Sequence, residues 1–470
     1  MPGHLADNGP RARIILPLAG VSAALYLALA MAGDLRDHAP ALLGSHAVLC
    51  GAMVLAWWAM RGRSSGFGLV LGAALVFRVL AALGEPALSD DVYRYVWDGR
   101  VQLHGIHPYE HAPADAAVED LRDPDWARIN HPELRTIYPP LAQVLFLSLA
   151  AVGAGPVGFK LALGLIDFGV VLALGSLLRK LELPRERVIL YAWNPLAVLE
   201  TAGSGHIEPL GVGLVVLAAA WIIGRRPGLS TLALAGAVQA KLLPLMLVPG
   251  YVRRWRLREL ALFALTLAAI GLPYALTGPA LGGGLFDYAS RWEFNSSVFG
   301  VVERTLEAAD SGNGLEPVIA RAREAISAEW MPWDTVYRWA WPDRLARLLV
   351  GLALAAWVLH LSFRPGLDAA RESFLALACA LVLSPTVHPW YVLWVLPFAA
   401  AYASWPWLAF AVTVVLVYAG GRSGLPSWVP WVEYGALVGL WVALALTRRR
   451  RAPGRRGTAG GYAVSREPES

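Results

Sequence analysis

Two adjacent carboxylates, Asp90 and Asp91, open the most chemically dense stretch of the chain, Ser89-Asp90-Asp91-Val92-Tyr93-Arg94-Tyr95-Val96-Trp97-Asp98-Gly99-Arg100. Carboxylates suit general-base work, arginines suit anion binding, and Tyr93 and Trp97 offer rings for a sugar or a lipid interface. As a helix the stretch places Asp91, Arg94, Tyr95 and Asp98 on one face, with Ser89 as an N-cap. The plain alternative is a solvated, ion-paired amphipathic helix on the membrane surface.

Four more polar clusters stand far from the first. Asn194-Pro195-Leu196 leads to Glu200, Gly205, His206 and Glu208, which supply acceptors, a possible proton carrier and glycines that permit close approach. Lys241 lies in Ala240-Lys241-Leu242-Leu243-Pro244, inside an apolar run where a lone ammonium costs about 2.5–3.5 kcal/mol. It therefore faces an anion or snorkels to the interface. Ser384-Pro385-Thr386-Val387-His388-Pro389-Trp390-Tyr391 pairs an imidazole, able to donate to phosphate, with aromatics for stacking. Arg291-Trp292-Glu293-Phe294-Asn295 reads as either an interfacial anchor or a part of the site. Asp167, in mid-span, is expected to be satisfied by serine or backbone groups of a neighbouring helix and carries no chemistry. His206 and the two acids beside it match no recognisable metal cage, so a divalent metal is possible but not required.

The elements that must position these groups are membrane spans. The chain has 470 residues, 57% hydrophobic and only 16% charged, with mean hydropathy +0.49. A soluble domain averages about 25% charged residues, so an ordinary cytosolic enzyme, a disordered chain and a nucleic-acid partner are excluded. Apolar runs are read near 14–31, 42–60, 67–83, 157–178, 188–203, 208–224, 259–276, 344–361, 371–386, 391–403, 405–419 and 431–447. The run 229–251, interrupted by Lys241 and Pro244, is expected to be two half-helices. Ala28-Leu29-Ala30 resembles a signal cleavage site, but the run before it is too long for a signal peptide, and a retained span is expected. Cys50 and Cys379 read as packing residues.

Arginine and lysine set the orientation. The segments assigned to the cytoplasm hold 22 basic residues, while the short outer loops hold only Arg36 and Arg422. That asymmetry puts both termini in the cytoplasm and requires that 138–152 not cross. The expected organisation is 1–83, three spans; 84–156, an outer loop with the acidic motif; 157–276, spans with outer turns; 277–343, a second outer loop; 344–447, C-terminal spans; and 448–470, a basic cytoplasmic tail. All five clusters then meet at the outer face. A transporter would place its charges nearer the midplane, whereas an enzyme drawing a lipid-linked substrate from the outer leaflet would place them there.

The order Asp90-Asp91-Val92-Tyr93-Arg94-Tyr95, Gly105-Ile106-His107-Pro108-Tyr109, Tyr138-Pro139-Pro140-Leu141, Asn194-Pro195-Leu196 with Gly205-His206, and His388-Pro389-Trp390-Tyr391 resembles the polyprenyl-phosphate-sugar-dependent glycosyltransferases of the GT-C superfamily. The likeness is to family 87 and the actinobacterial α-1,6-mannosyltransferases, and extends to the catalytic subunit of the first mannosyltransferase of glycosylphosphatidylinositol assembly. It implies an all-α polytopic bundle of about 12–14 transmembrane helices in the plasma (inner) membrane, with two long extracytoplasmic loops. It also implies a mannosyltransferase that moves a sugar, with inversion, from a polyprenyl-phosphate donor to a lipid or glycan acceptor.

By the resemblance, Asp90 or Asp91 is the base, with Asp90 favoured because the family motif begins with its first acid; the other acid would hold Arg94 or Arg100, or cap the helix. Arg94, Lys241, Arg291 and His388 are the donor-phosphate candidates. Tyr93, Trp97, His206, Glu208, Trp390 and Tyr391 are the acceptor or sugar candidates, Glu208 standing where relatives carry Asp. A flippase for lipid-linked sugars and a polysaccharide polymerase are the alternatives. Cysteines placed at Gly282 and Ala114 should react with an impermeant maleimide in intact cells and one at Gly454 should not; the reverse pattern would invert the topology.

Overall fold

The computed structural model describes residues 12–63, 66–277, 292–326 and 331–451. Arg291, Gly282 and Gly454 lie outside the described residues. Among those described the chain is helical, with a single isolated bridge, Phe294 to Thr386, in place of any strand.

Helices α1 (Ile15–Met31), α2 (Ala39–Met60) and α3 (Phe67–Ala82) lead to the motif helix α4 (Asp91–Leu103) and to α5 (Pro140–Ala151). Then follow α6 (Pro156–Lys180), the fragments α7 (Ile189–Ala192) and α8 (Pro195–Val198), α9 (Glu208–Ile223), α10 (Pro227–Ala240), α11 (Val248–Val252) and α12 (Leu257–Thr277). The second long segment carries α13 (Val298–Ala308), α14 (Ser311–Ala325) and α15 (Trp333–Trp339). The chain closes with α16 (Pro342–Phe363), α17 (Ala369–Leu383), α18 (Leu396–Ala401), α19 (Trp405–Thr413) and α20 (Val429–Arg451).

Among the described residues, six helical stretches are long and apolar enough to cross a bilayer on their own, and five more apolar helices are shorter. Helix α5 has 12 residues, hence a length of about 18 Å, which does not span the ~30 Å hydrocarbon layer. The run 229–251 breaks where its Lys and Pro predict: α10 ends at Ala240, Lys241 has an extended backbone, and a 3₁₀ turn follows.

The run expected to be one span at 188–203 is not continuous. Pro195 ends the first fragment, the Asn194 side chain accepts from the Leu196 amide, and Leu199–Gly203 winds as a π turn. Such broken backbone survives at membrane depth only inside protein, and residues 188–209 are all buried.

Asp167 has a partner that apolar counting hides. Arg78, in the middle of α3, lies 2.6 Å from its Oδ2, and the Tyr191 hydroxyl donates to its other oxygen. Arg78 Nη1 donates to the carbonyls of Ala74 and Ala192. The expectation of serine or backbone partners is thus corrected: a fully buried carboxylate in a span needs a cation, and this one ties α3 and α6 to α7. Replacing Asp167 with Ala strands the guanidinium and should destabilise the protein by about 3–5 kcal/mol, whereas Arg78→Met with Asp167→Leu should recover most of that loss. Thermal unfolding in detergent measures both; equal losses in the single and double variants would show that the pair is not the source.

Candidate active site

A cavity of about 400 Å³ opens between α4, the 130–139 segment, the ends of α9 and α10, and the 388–391 turn. It gathers Asp90, Asp91, Arg94, Glu208, Lys241, His388, Trp390 and Tyr391 from across the sequence, and adds Arg36, Asn130 and Trp292. Tyr93 and Trp97 are not brought to it. They lie four residues apart on the opposite face of α4, buried with Val101 and Phe159, and Tyr93 carries the Arg128 guanidinium on its ring.

The two acids part company at the helix start. Asp90 is held from two sides by Arg36, at 2.9 and 3.1 Å, and Arg36 also binds Asp34. Arg422 joins the same network through Asp34 and Asp37. Asp91 turns the other way: Oδ1 accepts from Asn130 at 2.8 Å, and Oδ2 lies 3.6 Å from His206 Nδ1. Ser89 is not the N-cap expected: that position is Asp90, and Ser89, one residue before it, accepts from the Asp91 amide.

Neither acid holds Arg94 or Arg100, which pair with Asp98 and Asp123 instead. Asp98 in turn accepts from Thr136 and Gln143. Arg94 is therefore fixed in place, with one terminal nitrogen left without a hydrogen bond.

His206 is fully buried beneath the cavity floor. Gly205 delivers it: φ is +84°, and a Cβ there would press on Val92 and Lys160. Four rings follow one another from this point outward. Trp390 stacks on His206 at 3.8 Å, His388 on Trp390 at 4.3 Å, and Phe294 on His388 at 4.6 Å. The Phe294 amide donates to Pro385 and the Val387 amide to Phe294, so the second long segment is fastened to this turn.

Burial alone would raise the Asp91 carboxyl, but His206 and Asn130 bring it down to about 2. Burial would lower His206, yet Asp91 and Glu200 carry it up to about 9, so it is an imidazolium at neutral pH. His388 is driven by burial down to about 3 and is neutral. Lys241 pairs with the buried Glu208 and rests 4.6 Å from the centre of the Tyr391 ring. At Lys241 and His388 the cavity thus offers a charged donor and a neutral one.

Sequence reasoning passed over Asn130 and Tyr418, which touch the acids Asp91 and Glu200 from segments without any local motif. Arg36 was visible only as one of two outer basic residues. Among the described residues, no three His, Cys, Asp or Glu side chains converge as a metal site would require.

Among solved structures the chain is similar to ArnT from Cupriavidus metallidurans bound to undecaprenyl phosphate, with 16% identity and a TM-score of 0.40 over 82% of this chain and 73% of that one. No curated protein sequence matches it. Residues 343–447 match the family described as MptB C-terminal domain. Residues 19–257, half of the chain, match the family described as alpha-(1->6)-mannopyranosyltransferase, N-terminal domain, and the chain belongs to that family of membrane glycosyltransferases.

Proposed function

We propose that the cavity transfers a mannosyl group, with inversion, from a polyprenyl-phosphate donor to a hydroxyl of a lipid or glycan acceptor, at the extracytoplasmic face of the plasma membrane. The observation that carries this reading is one cavity lined by a carboxylate, Asp91, together with Arg94 and Lys241. The isoprenoid tail would lie against the apolar helices, and the arginine asymmetry supports the outer location and the cytoplasmic termini.

Asp91 is the base. Both oxygens of Asp90 are occupied by Arg36, whereas Asp91 Oδ2 accepts no hydrogen bond in its 3.6 Å approach to His206. As the anomeric carbon loses its phosphate oxygen it becomes oxocarbenium-like, and the incoming hydroxyl grows acidic as its oxygen bonds to that carbon. A weak, well-placed carboxylate then suffices. The C1–O bond to phosphate breaks with its electron pair going to the phosphate, the acceptor oxygen bonds to C1, and the acceptor proton passes to Asp91. The free terminal nitrogen of Arg94, Lys241 and a neutral His388 N–H receive the phosphate charge. Trp390 and Tyr391 offer rings to the sugar, and Arg291 adjoins Trp292 in sequence.

Radiolabelled polyprenyl-phosphate-mannose with a lipid extract tests the reading on purified protein. Asp91→Asn should lose about 10²–10⁴-fold in kcat with donor KM unchanged, and Asp90→Asn should lose less. The opposite ranking would make Asp90 the base, and a wild type that consumes no donor would sink the donor assignment.

Lys241→Met is best made with Glu208→Gln, because removing the lysine alone strands a buried carboxylate. The double variant should raise donor KM by roughly 10- to 100-fold, the loss of one charge-assisted contact of about 1.5–3 kcal/mol. An unchanged donor KM would leave Lys241 with no part in binding the phosphate.

A further inference from the structure

Glu200 and His206 have no task in the transfer step as written, yet their placement is too costly to be filler. Both are completely buried. His206 Nδ1 faces Asp91 Oδ2 at 3.6 Å and Nε2 faces Glu200 Oε2 at 3.4 Å. Neither ring nitrogen has another partner, and Glu200 Oε2 has none either. A neutral imidazole carries one N–H and one lone pair, so it would turn a lone pair toward one of two carboxylates; only the doubly protonated ring suits both sides.

The surroundings fit a cation. Trp390 covers the ring face at 3.8 Å, as a cation–π partner would. The Tyr418 hydroxyl donates to Glu200 Oε1 at 2.9 Å and fixes that carboxylate. The other charged and titratable neighbours are His388, neutral and beyond Trp390, Tyr95 and Tyr138 on the Asp91 side, Arg36 on the Tyr418 side, and Lys160. The Lys160 ammonium is turned away to the carbonyls of Gly84 and Glu85.

Resting on the reading of Asp91 as base, we propose that Glu200 and His206 are positioning residues that hold the Asp91 carboxylate ionised and turned toward the acceptor. Glu200 is the permanent counter-ion of the line. Before transfer, one imidazolium serves two carboxylates. Once Asp91 Oδ2 has taken the acceptor proton, the imidazolium remains paired with Glu200 and keeps its own proton. Asp91 then returns its proton to water through the cavity mouth after the product leaves. Without Glu200, proton uptake by Asp91 would leave a buried cation unpaired, and His206 would lose its proton instead.

Glu200→Gln conserves shape and removes the counter-ion. In the wild type, transfer should hold from pH 6 to 8 and fall as His206 deprotonates near pH 9. In Glu200→Gln that alkaline limb should move below neutrality, so that kcat at pH 8 drops about tenfold or more relative to pH 6 while donor KM stays constant. Glu200→Asp should recover part of the shift. A loss equal at every pH, or a profile identical to the wild type, would overturn the proposal.

Thermal unfolding in detergent from pH 6 to 9.5 reads the same line without any donor. His206 is raised in the folded state, so its contribution is complete below its unfolded value near 6.5 and is lost as pH rises through about 9. Glu200→Gln should shift that loss to lower pH. If the wild type consumes no polyprenyl donor but this shift appears, the donor reading fails and the ion-paired line stands. If unfolding is unshifted, the line itself is wrong.

Discussion

A chain in hydrocarbon must satisfy its own backbone, so it can leave the helix only where other helices enclose it. This constraint decides where chemistry sits in the molecule. The irregular backbone falls at Trp193–Asn194, at the π turn Leu199–Gly203 and the turn after it, at Lys241 to Leu247, and from Ser384 to Trp394. Each break frees side chains that a continuous helix would press against its flank. Glu200, His206, Lys241, His388 and Trp390 all come from such breaks, and α6, α9 and α10 supply the regular packing around them. Broken and regular elements are therefore complementary: the first present polar side chains and the second pack around them.

The same low-dielectric setting explains why charges occur in matched sets. Arg78 with Asp167, Arg94 with Asp98, and Lys241 with Glu208 are each buried on at least one side and each neutralised locally. Their roles differ through where they sit: Arg94 and Lys241 line the cavity and Arg78 does not. Arg78 is spent on Asp167 and two carbonyls and only fastens helices. Arg94 lines the cavity and is aimed by Asp98, itself anchored by Thr136 and Gln143, with one buried terminal nitrogen left without a hydrogen bond. Lys241 shares its charge with a carboxylate that an incoming phosphate would have to rival.

Much of this was legible in the sequence because it is local. Basic residues beside apolar runs, a Pro after an Asn, a Lys and Pro inside an apolar stretch, and the three-to-four spacing of Asp91, Arg94, Tyr95 and Asp98 each reflect forces acting within a few residues. What was not legible depends on distant partners. Arg78 and Asp167 are 89 positions apart, and Glu200 and Tyr418 are 218 apart; nothing near either residue in sequence announces the other. Tyr93 and Trp97 looked like site residues because the motif is rich in aromatics, but they share the face of α4 that carries its apolar contacts, and the helix cannot turn both faces to one cavity. The run at 188–203 read as one span because hydropathy averages across a proline.

Asp90 and Asp91 show how adjacent identical residues acquire different tasks. Successive helical residues point about 100° apart, and Asp90 stands just before the helix with φ −98° and ψ 4° while Asp91 begins it. One carboxylate therefore faces out to Arg36, which belongs to a turn before α2 and is linked through Asp34 to Arg422 near the other end of the chain. The other faces in to Asn130 and His206. The outward acid fixes the start of α4 against the N-terminal helices, and only because that start is fixed does the inward acid keep a constant distance from a buried ring it cannot follow. A shift of α4 by one residue would carry Asp91 to the Arg36 side and leave His206 facing an apolar side chain, Val92, so the ion-pair network around Arg36 sets the geometry of the Asp91–His206 pair.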